Sequence, residues 1–303
     1  MEVVTVDINV IGVPIFYGAD KRGVEYGPDK LREKKLSSVL ERHDHQVYDL
    51  GNIYVPEVKE YNKFYTHSKM KYLDAIAEVS KNLAHAVYSS LRAESFPLII
   101  GGDHSIALGS LSGVSRANKD FAVIWMDAHG DINTHNTSGS GNVHGMPLAK
   151  AMNVGHTELT DLYFKGQKVN PENVFILGAR DLDPGEIELI KDKQLNVYSA
   201  DVINERGISV VIQEVIDKLK ARNIESVHLS FDLDFIDAKY VPGTGTPVSS
   251  GVNVGDTKEA LKLLAETKLI KSMDFVELNV LLDKNDATAE LAIDLLDWTF
   301  RHI

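Results

Sequence analysis

Asp127, His129 and Asp131 occupy alternate positions in the stretch Trp125-Met126-Asp127-Ala128-His129-Gly130-Asp131-Ile132-Asn133. Residues i, i+2 and i+4 of an extended segment point to one side, so two carboxylates and an imidazole converge there. The apolar run Phe121 to Met126 reads as a buried strand, and the three groups fall where it ends. Carboxylates crowded together are costly unless a cation offsets their charge, so the expected chemistry is metal binding.

Two further strand ends carry the same residue types. Ile100 is followed by Asp103 and His104, and Phe231 by Asp232, Asp234 and Asp237. An Asp after a strand often caps the next helix, and that reading is open for Asp103 and Asp237 taken singly. For the joint set a shared cation is the better account, because isolated carboxylates repel. Carboxylates outnumber imidazoles and thiolates are absent, which suits Mn²⁺ or another hard to borderline divalent ion. With Asp103 and Asp237 set aside as possible caps, the six remaining candidate ligands still exceed what one catalytic ion with an open position would use, and point to a pair. Two ions roughly 3.5–4 Å apart can share a water and lower its pKa toward neutrality, which makes hydrolysis the expected reaction.

These groups need a scaffold, and the chain alternates strand, turn and helix from end to end. Strands are predicted at Thr5 to Pro14, Gln46 to Leu50, Phe96 to Ile100, Phe121 to Met126, Asn173 to Leu177, Leu195 to Tyr198, Ser226 to Phe231 and Lys271 to Glu277. The spacing of Leu73, Ile76, Val79, Leu83, Val87 and Leu91 is the stripe of a long amphipathic helix. Other helices are predicted from Pro28 to about Arg42, Ser105 to Ser115, Gly145 to Met152, Pro184 to Lys191, Ile208 to Ala221, Thr257 to Ala265 and Asp286 to Arg301. Asn52 to Ser68 reads as an excursion over the surface. The fold class is α/β, with a mostly parallel eight-stranded sheet covered on both faces. No Ser/Pro/Gly-rich linker divides residues 1–303, so one domain is expected. In such sheets ligands bind beyond the carboxyl ends of the strands, where the candidate ligands lie.

Composition narrows the partners. A hydrophobic fraction of 44% with 25% charged residues is that of a globular protein, and no apolar run approaches the roughly 20 residues that span a membrane. The net charge of −12 argues against nucleic acid and anionic membrane as partners. No cysteine is present, which removes disulfides, thiolate nucleophiles and Cys-based metal sites. With no secretory pattern at the N-terminus, a cytoplasmic location is expected.

Gly101-Gly102-Asp103-His104-Ser105, Asp127-Ala128-His129-Gly130-Asp131 and Ser230-Phe231-Asp232-Leu233-Asp234 resemble, in order and spacing, the three signature motifs of the ureohydrolase family, which includes arginases and agmatinases. The resemblance runs from the Arg22 to Pro28 loop to Glu277. It implies a three-layer α/β/α sandwich, a homo-oligomer (trimer or hexamer), and two Mn²⁺ per subunit. The ligands it implies are His104, Asp127, His129, Asp131, Asp232 and Asp234, with Asp127 and Asp232 bridging both ions. His104 and Asp131 would complete one shell, and His129 and Asp234 the other.

Two loops are similar to those of the arginase branch: Asn133-Thr134 with Ser140-Gly141-Asn142-Val143-His144-Gly145, and Arg180-Asp181-Leu182-Asp183-Pro184-Gly185-Glu186. Asn133, Ser140 and Asn142 can donate to an α-carboxylate, and Asp183 and Glu186 can receive an α-ammonium directly or through water. The expected reaction is therefore hydrolysis of L-arginine to L-ornithine and urea through a metal-bridging hydroxide. Asp131 would hold the nucleophile and pass its proton to the leaving nitrogen. Glu277 would orient the guanidinium by charge-assisted hydrogen bonds, and His144 matches the family's proton-shuttling histidine. Gly243-Thr244-Gly245-Thr246-Pro247 resembles the substrate-side loop, with Thr246 a contact.

Phe235 and Ala238 stand where the family commonly has Gly and Pro; neither is a ligand, but bulky Phe235 is expected to reshape the nearby loop. Rival readings are an agmatinase or guanidinobutyrase, a non-catalytic metal-binding regulatory protein, and a deacetylase on a related fold. His43, His45, His67, His85, His156 and His302 lack ligand spacing, His228 reads as a satisfied interior histidine, and His135 is given no role.

Overall fold

Residues 5–303 are described in a computed structural model. The strands are β1 (Asp7–Val13), β2 (Gln46–Asn52), β3 (Phe96–Gly101), β4 (Ala122–Met126), β5 (Val174–Ala179), β6 (Asn196–Ser199), β7 (Val227–Asp232) and β8 (Ile270–Val276). They form one sheet in the order β2-β1-β3-β8-β7-β4-β5-β6, every pairing parallel. All eight predicted strands are present, with ends shifted by a few residues.

The sheet is buried on both sides, and this explains why β3 and β4 are uniformly apolar, whereas β7 and β8 also bury polar residues (His228, Ser230, Ser272 and Asp274) that find partners inside. Along β3, Leu98 and Ile100 enter one core and Ile99 the other; along β4, Ile124 and Met126 oppose Val123 and Trp125. Helices cover both faces, as a parallel sheet requires of its crossovers. The helix Leu73–Arg92 packs on Ala107–Ala117, and Val254–Glu266 packs on both Ile208–Ala221 and Ala287–Phe300. Among the described residues no helix is long and apolar enough to cross a membrane.

The helix expected from Pro28 to Arg42 is two, Gly27–Glu33 and Leu36–Glu41, separated by Lys35 in the left-handed region at φ 65°. Leu31 and Leu36 both reach the core, yet five residues are out of phase with a 3.6-residue period. The break at Lys35 turns the second segment so that both leucines are buried. Helices Thr157–Thr160 and Ala200–Arg206 were not predicted, being too short for a periodic signal.

One core residue carries a testable cost. Lys150, in the short helix Pro147–Ala151, is only 1% exposed and its Nζ has no hydrogen-bond partner. Burial pushes its pKa down to about 8 from 10.5. Below about pH 8 both folded and unfolded chains hold the proton, so the native state carries the full penalty; it vanishes above about 10.5. Lys150→Met is therefore expected to stabilise the protein by about 3 kcal/mol at pH 7. The gain should shrink between pH 8 and 10.5, as read by urea denaturation across that range. A gain independent of pH would show that packing, not charge, is responsible.

Candidate metal centre and active-site cavity

Four neighbouring central strands, β3, β8, β7 and β4, bring their carboxyl ends together. The candidate residues follow from them: His104 after β3, Glu277 after β8, Asp232 and Asp234 at the end of β7, and Asp127, His129 and Asp131 after β4. Each loop is fixed by local hydrogen bonds. The Asp103 carboxylate accepts from the N–H groups of Gly18 (2.8 Å), Ala19 (3.2 Å) and Ser105 (3.0 Å), and Asp237 accepts from Lys239 (3.0 Å) and Gly251 (3.1 Å). Both are loop anchors: Asp103 caps the helical turn His104–Ile106, the role left open for it by sequence, whereas the next helix after Asp237 begins only at Val254, and Asp237 ties its turn to Gly251 instead.

His104 stacks on the Trp125 indole, ring centroids 4.0 Å apart, and its Nε2 lies 2.8 Å from Ser230 Oγ. Its Nδ1 lies 2.9, 3.2 and 3.3 Å from carboxylate oxygens of Asp127, Asp131 and Asp232. That nitrogen is buried and aligned for a hydrogen bond with none of them. An imidazole lone pair facing three carboxylates fits a metal ion, since nitrogen and oxygen donors would share one positive centre. His129 Nδ1 lies 3.2 Å from Asp127 Oδ1 and 3.1 Å from Asp234 Oδ2. Two donor groups able to hold an ion therefore adjoin, His104/Asp127/Asp232 and Asp127/His129/Asp234, sharing Asp127. Asp131 flanks the first.

The carboxylates are further oriented by donors. Trp125 Nε1 donates to Asp127 Oδ2 (3.0 Å), Ala128 N to Asp234 Oδ1 (3.0 Å), and Thr246 Oγ1 to Asp234 Oδ2 (3.0 Å). Arg180 ties the loop after β5 to the loop after β7 by donating to the carbonyls of Gly178 (3.1 Å), Asp234 (2.7 Å) and Val248 (2.8 Å).

Burial and mutual repulsion set the electrostatics. Burial and the Asp127 charge push Asp234 up to about 6. Burial together with Asp234 and Asp127 raises Asp232 well above the carboxylate range, and burial with Asp127 raises Asp131. Burial acts against ionisation of Asp127 too, but His104 and His129 outweigh it and hold its carboxyl below the usual range. A divalent cation would relieve this crowding and keep all four ionised.

Beside the carboxylates is a cavity of about 160 Å³ whose lining includes all six residues expected to contact substrate: Asn133, Ser140, Asn142, Asp183, Glu186 and Thr246. The structure shows what else engages them. Asn133 Nδ2 donates to Asp183 Oδ2 (2.8 Å), and Ser140 Oγ accepts from Asn142 N (3.1 Å). Asn142 accepts from Lys71 Nζ (2.8 Å) and donates to the Ala19 carbonyl (2.9 Å). The Glu186 oxygens accept from Ile132 N (3.1 Å) and Asp183 N (2.9 Å), and burial pushes its pKa up to about 7. A larger cavity, about 480 Å³, lies at the opposite edge of the sheet beside Phe96, Ser226 and Ile270, away from the metal-type residues.

Glu277 is 1% exposed. Its Oε1 accepts from His104 N (3.0 Å) and lies 3.3 Å from His144 Nδ1, while its Oε2 is buried without a partner. Burial disfavours a charge on His144, but the Glu277 carboxylate outweighs it and raises the imidazole to about 9. Asp131 and Glu277 both hold left-handed backbone, φ 50° and 66°, which Asp tolerates but which is uncommon for Glu and recurs at functional sites. Gly245 lets Glu277 stand where it does, because a methyl group there would collide with Oε2. Gly245→Ala is expected to keep the fold but lower kcat/KM by on the order of 10²-fold through displacement of that carboxylate; activity within threefold of the parent would show that Oε2 can move freely.

Phe235 does not enter the cavity. It is fully buried beside Phe231, ring centroids 6.0 Å apart, so the departure from the family pattern is absorbed by the core. His228 is interior as expected, with its ring nitrogens 2.8 Å from Ser272 Oγ and 3.1 Å from Asp274 Oδ2. Sequence reasoning gave no role to Trp125, Ser230, Arg180 or Gly245. Ser230 had a signal in its phase with Asp232 on β7, and Arg180 and Gly245 stood inside family-like loops; Trp125 had none.

A parallel sheet whose central strand ends converge on histidines and aspartates defines an α/β protein with a candidate divalent-metal centre. The Arginase family model matches residues 6–300, and the chain belongs to that family. An arginase from Brevibacillus brevis is 42% identical over 294 residues, 97% of each chain. The solved arginase from Bacillus caldovelox superposes with a TM-score of 0.93 at 40% identity, covering 98% of both chains. An arginase from Entamoeba histolytica, solved in complex with L-ornithine, has a TM-score of 0.89 at 31% identity and covers 98% of both. The protein is an amidinohydrolase.

Proposed function

We propose that the protein hydrolyses L-arginine to L-ornithine and urea with two Mn²⁺ ions per subunit. The observation that carries this reading is the pair of adjoining donor groups at the base of a polar cavity, with the unpartnered Glu277 Oε2 close by. The names of the relatives agree, and L-ornithine is the product this reaction would release.

His104, Asp127, Asp131 and Asp232 would hold one ion, and Asp127, His129, Asp232 and Asp234 the other. When bound, the pair supplies a water made acidic enough to furnish the nucleophile at neutral pH. Glu277 receives the planar guanidinium through charge-assisted hydrogen bonds to Oε2. Asp131 holds the nucleophile's proton at its carboxylate and transfers it to the leaving nitrogen. His144, 3.3 Å from Glu277, exchanges protons between the cavity and solvent. The Asn133/Ser140/Asn142 wall faces the α-carboxylate, and Asp183 and Glu186 the α-ammonium, some through water.

The deciding experiment is steady-state urea release from L-arginine and from agmatine with added Mn²⁺, with metal analysis of the purified protein. Preference for L-arginine and two equivalents of metal support the proposal. Preference for agmatine would overturn the substrate, and full turnover after chelation would overturn the metal.

A further inference from the structure

Outside the cavity, three histidines distant in sequence meet. The His67 and His156 ring centroids are 4.8 Å apart, His135 and His156 5.2 Å, and His67 and His135 5.7 Å. All three are half-buried. Backbone bonds settle two of their tautomers. His67 Nδ1 accepts from Lys69 N at 3.0 Å, and His156 Nδ1 accepts from Glu158 N at 3.4 Å. A neutral ring that accepts through one nitrogen donates through the other, and a charged ring also donates there. The Nε2–H groups of His67 and His156 are therefore donors. They cannot ligate a metal without giving up a proton, despite the proximity of three imidazoles.

Two buried nitrogens at this place lack partners, His135 Nδ1 and Lys150 Nζ. The Lys150 ammonium lies against Gly155, occupying the space a side chain there would need, and so sits next to the backbone of His156. Burial, Lys150, His156, His67 and Lys69 all act against a charge on His135, and burial with His156 holds His67 below its ordinary value, so both rings are neutral N–H donors and the fixed positive charge is that of the lysines. Glu158 is the carboxylate that acts on His67. Within a chain of net charge −12, this is a concentration of N–H donors around a buried lysine that lacks a partner, set against that single carboxylate.

We propose that His67, His135, His156 and Lys150 bind a small oxyanion of the phosphate or sulfate class. Its oxygens accept from Lys150 Nζ, from the Nε2–H groups of His67 and His156, and from His135 as the Nδ1–H tautomer. His135 belongs to the loop that also supplies Asn133, Ser138, Ser140 and Asn142 to the active-site cavity. Occupation would brace that loop from its outer side.

Titration of inorganic phosphate into the metal-loaded enzyme by calorimetry, in a chloride buffer, tests the site. Saturable uptake of one phosphate per chain is expected, with sulfate competing. Lys150→Met, and separately His67→Gln with His156→Asn, should weaken it at least tenfold; the amide carbonyls of Gln and Asn can still accept the backbone N–H bonds. Hydrogen exchange of residues 133–142 should slow with phosphate in the parent and not in the variants. Absence of saturable uptake, or uptake equal in parent and variants, overturns the proposal. So does a saturable Zn²⁺ site that the double histidine variant abolishes, which would make the cluster a metal site.

Discussion

Asp131→Asn is expected to lower kcat for urea release by 10²–10⁴-fold while leaving the protein folded. The range is that of a positioned acid/base group removed from a transition state. The fold should survive because Asp131 sits at φ 50°, and Asn is among the side chains that tolerate this conformation best. Its backbone carbonyl, which accepts from Leu148 N at 3.0 Å, is untouched. Asn keeps the shape of the carboxylate but cannot receive the nucleophile's proton and return it. The measurement is kcat at saturating substrate with metal content determined in parallel. Turnover within threefold of the parent, at equal metal content, would remove Asp131 from the proton path.

Glu277→Gln is expected to lower kcat/KM by roughly 10²–10⁴-fold, the loss of two charge-assisted hydrogen bonds worth about 1.5–3 kcal/mol each. Gln can still accept from His104 N through its carbonyl, and its own N–H can still bond the Gly102 carbonyl, now at 3.0 Å. What changes is the atom replacing Oε2, buried and without a partner in the protein. An amide N–H there would face the donors of a guanidinium. The cation is already present in the ground state, so KM should rise, and kcat should fall as well because a guanidinium without this anchor is misplaced for attack. A loss of thermal stability with unchanged kinetics would instead make Glu277 a brace for the His104 loop.

The three strand-end motifs showed the candidate metal centre because their residue types and phase are local facts. Asp127, His129 and Asp131 follow an apolar run in steps of two, but β4 ends at Met126, residues 127–129 bend and Asp131 is left-handed, so the turn after the strand, not an extended register, brings the three together. Asp103 and Asp237 have the same residue type and the same position after a strand, yet both face backbone N–H groups. Residue type and position could not separate them from Asp127 or Asp232, because the Gly18 and Gly251 donors belong to other segments; only the family resemblance, whose implied ligand set omits both, set them apart. The same holds for Phe235: its volume was visible, but not that a pocket of the core would take it.

By itself the sequence determined the eight strands, most of the helices, the α/β class and the chemical character of the site, since each is written in short-range periodicity and residue type. Tertiary structure alone decided the strand order that sets β3, β8, β7 and β4 side by side. It also decided the helix break at Lys35, the left-handed backbone of Asp131 and Glu277, and the meeting of His67, His135 and His156. These depend on pairing and packing between residues far apart in the chain, and on which buried atoms are left without a partner once every other one has been satisfied.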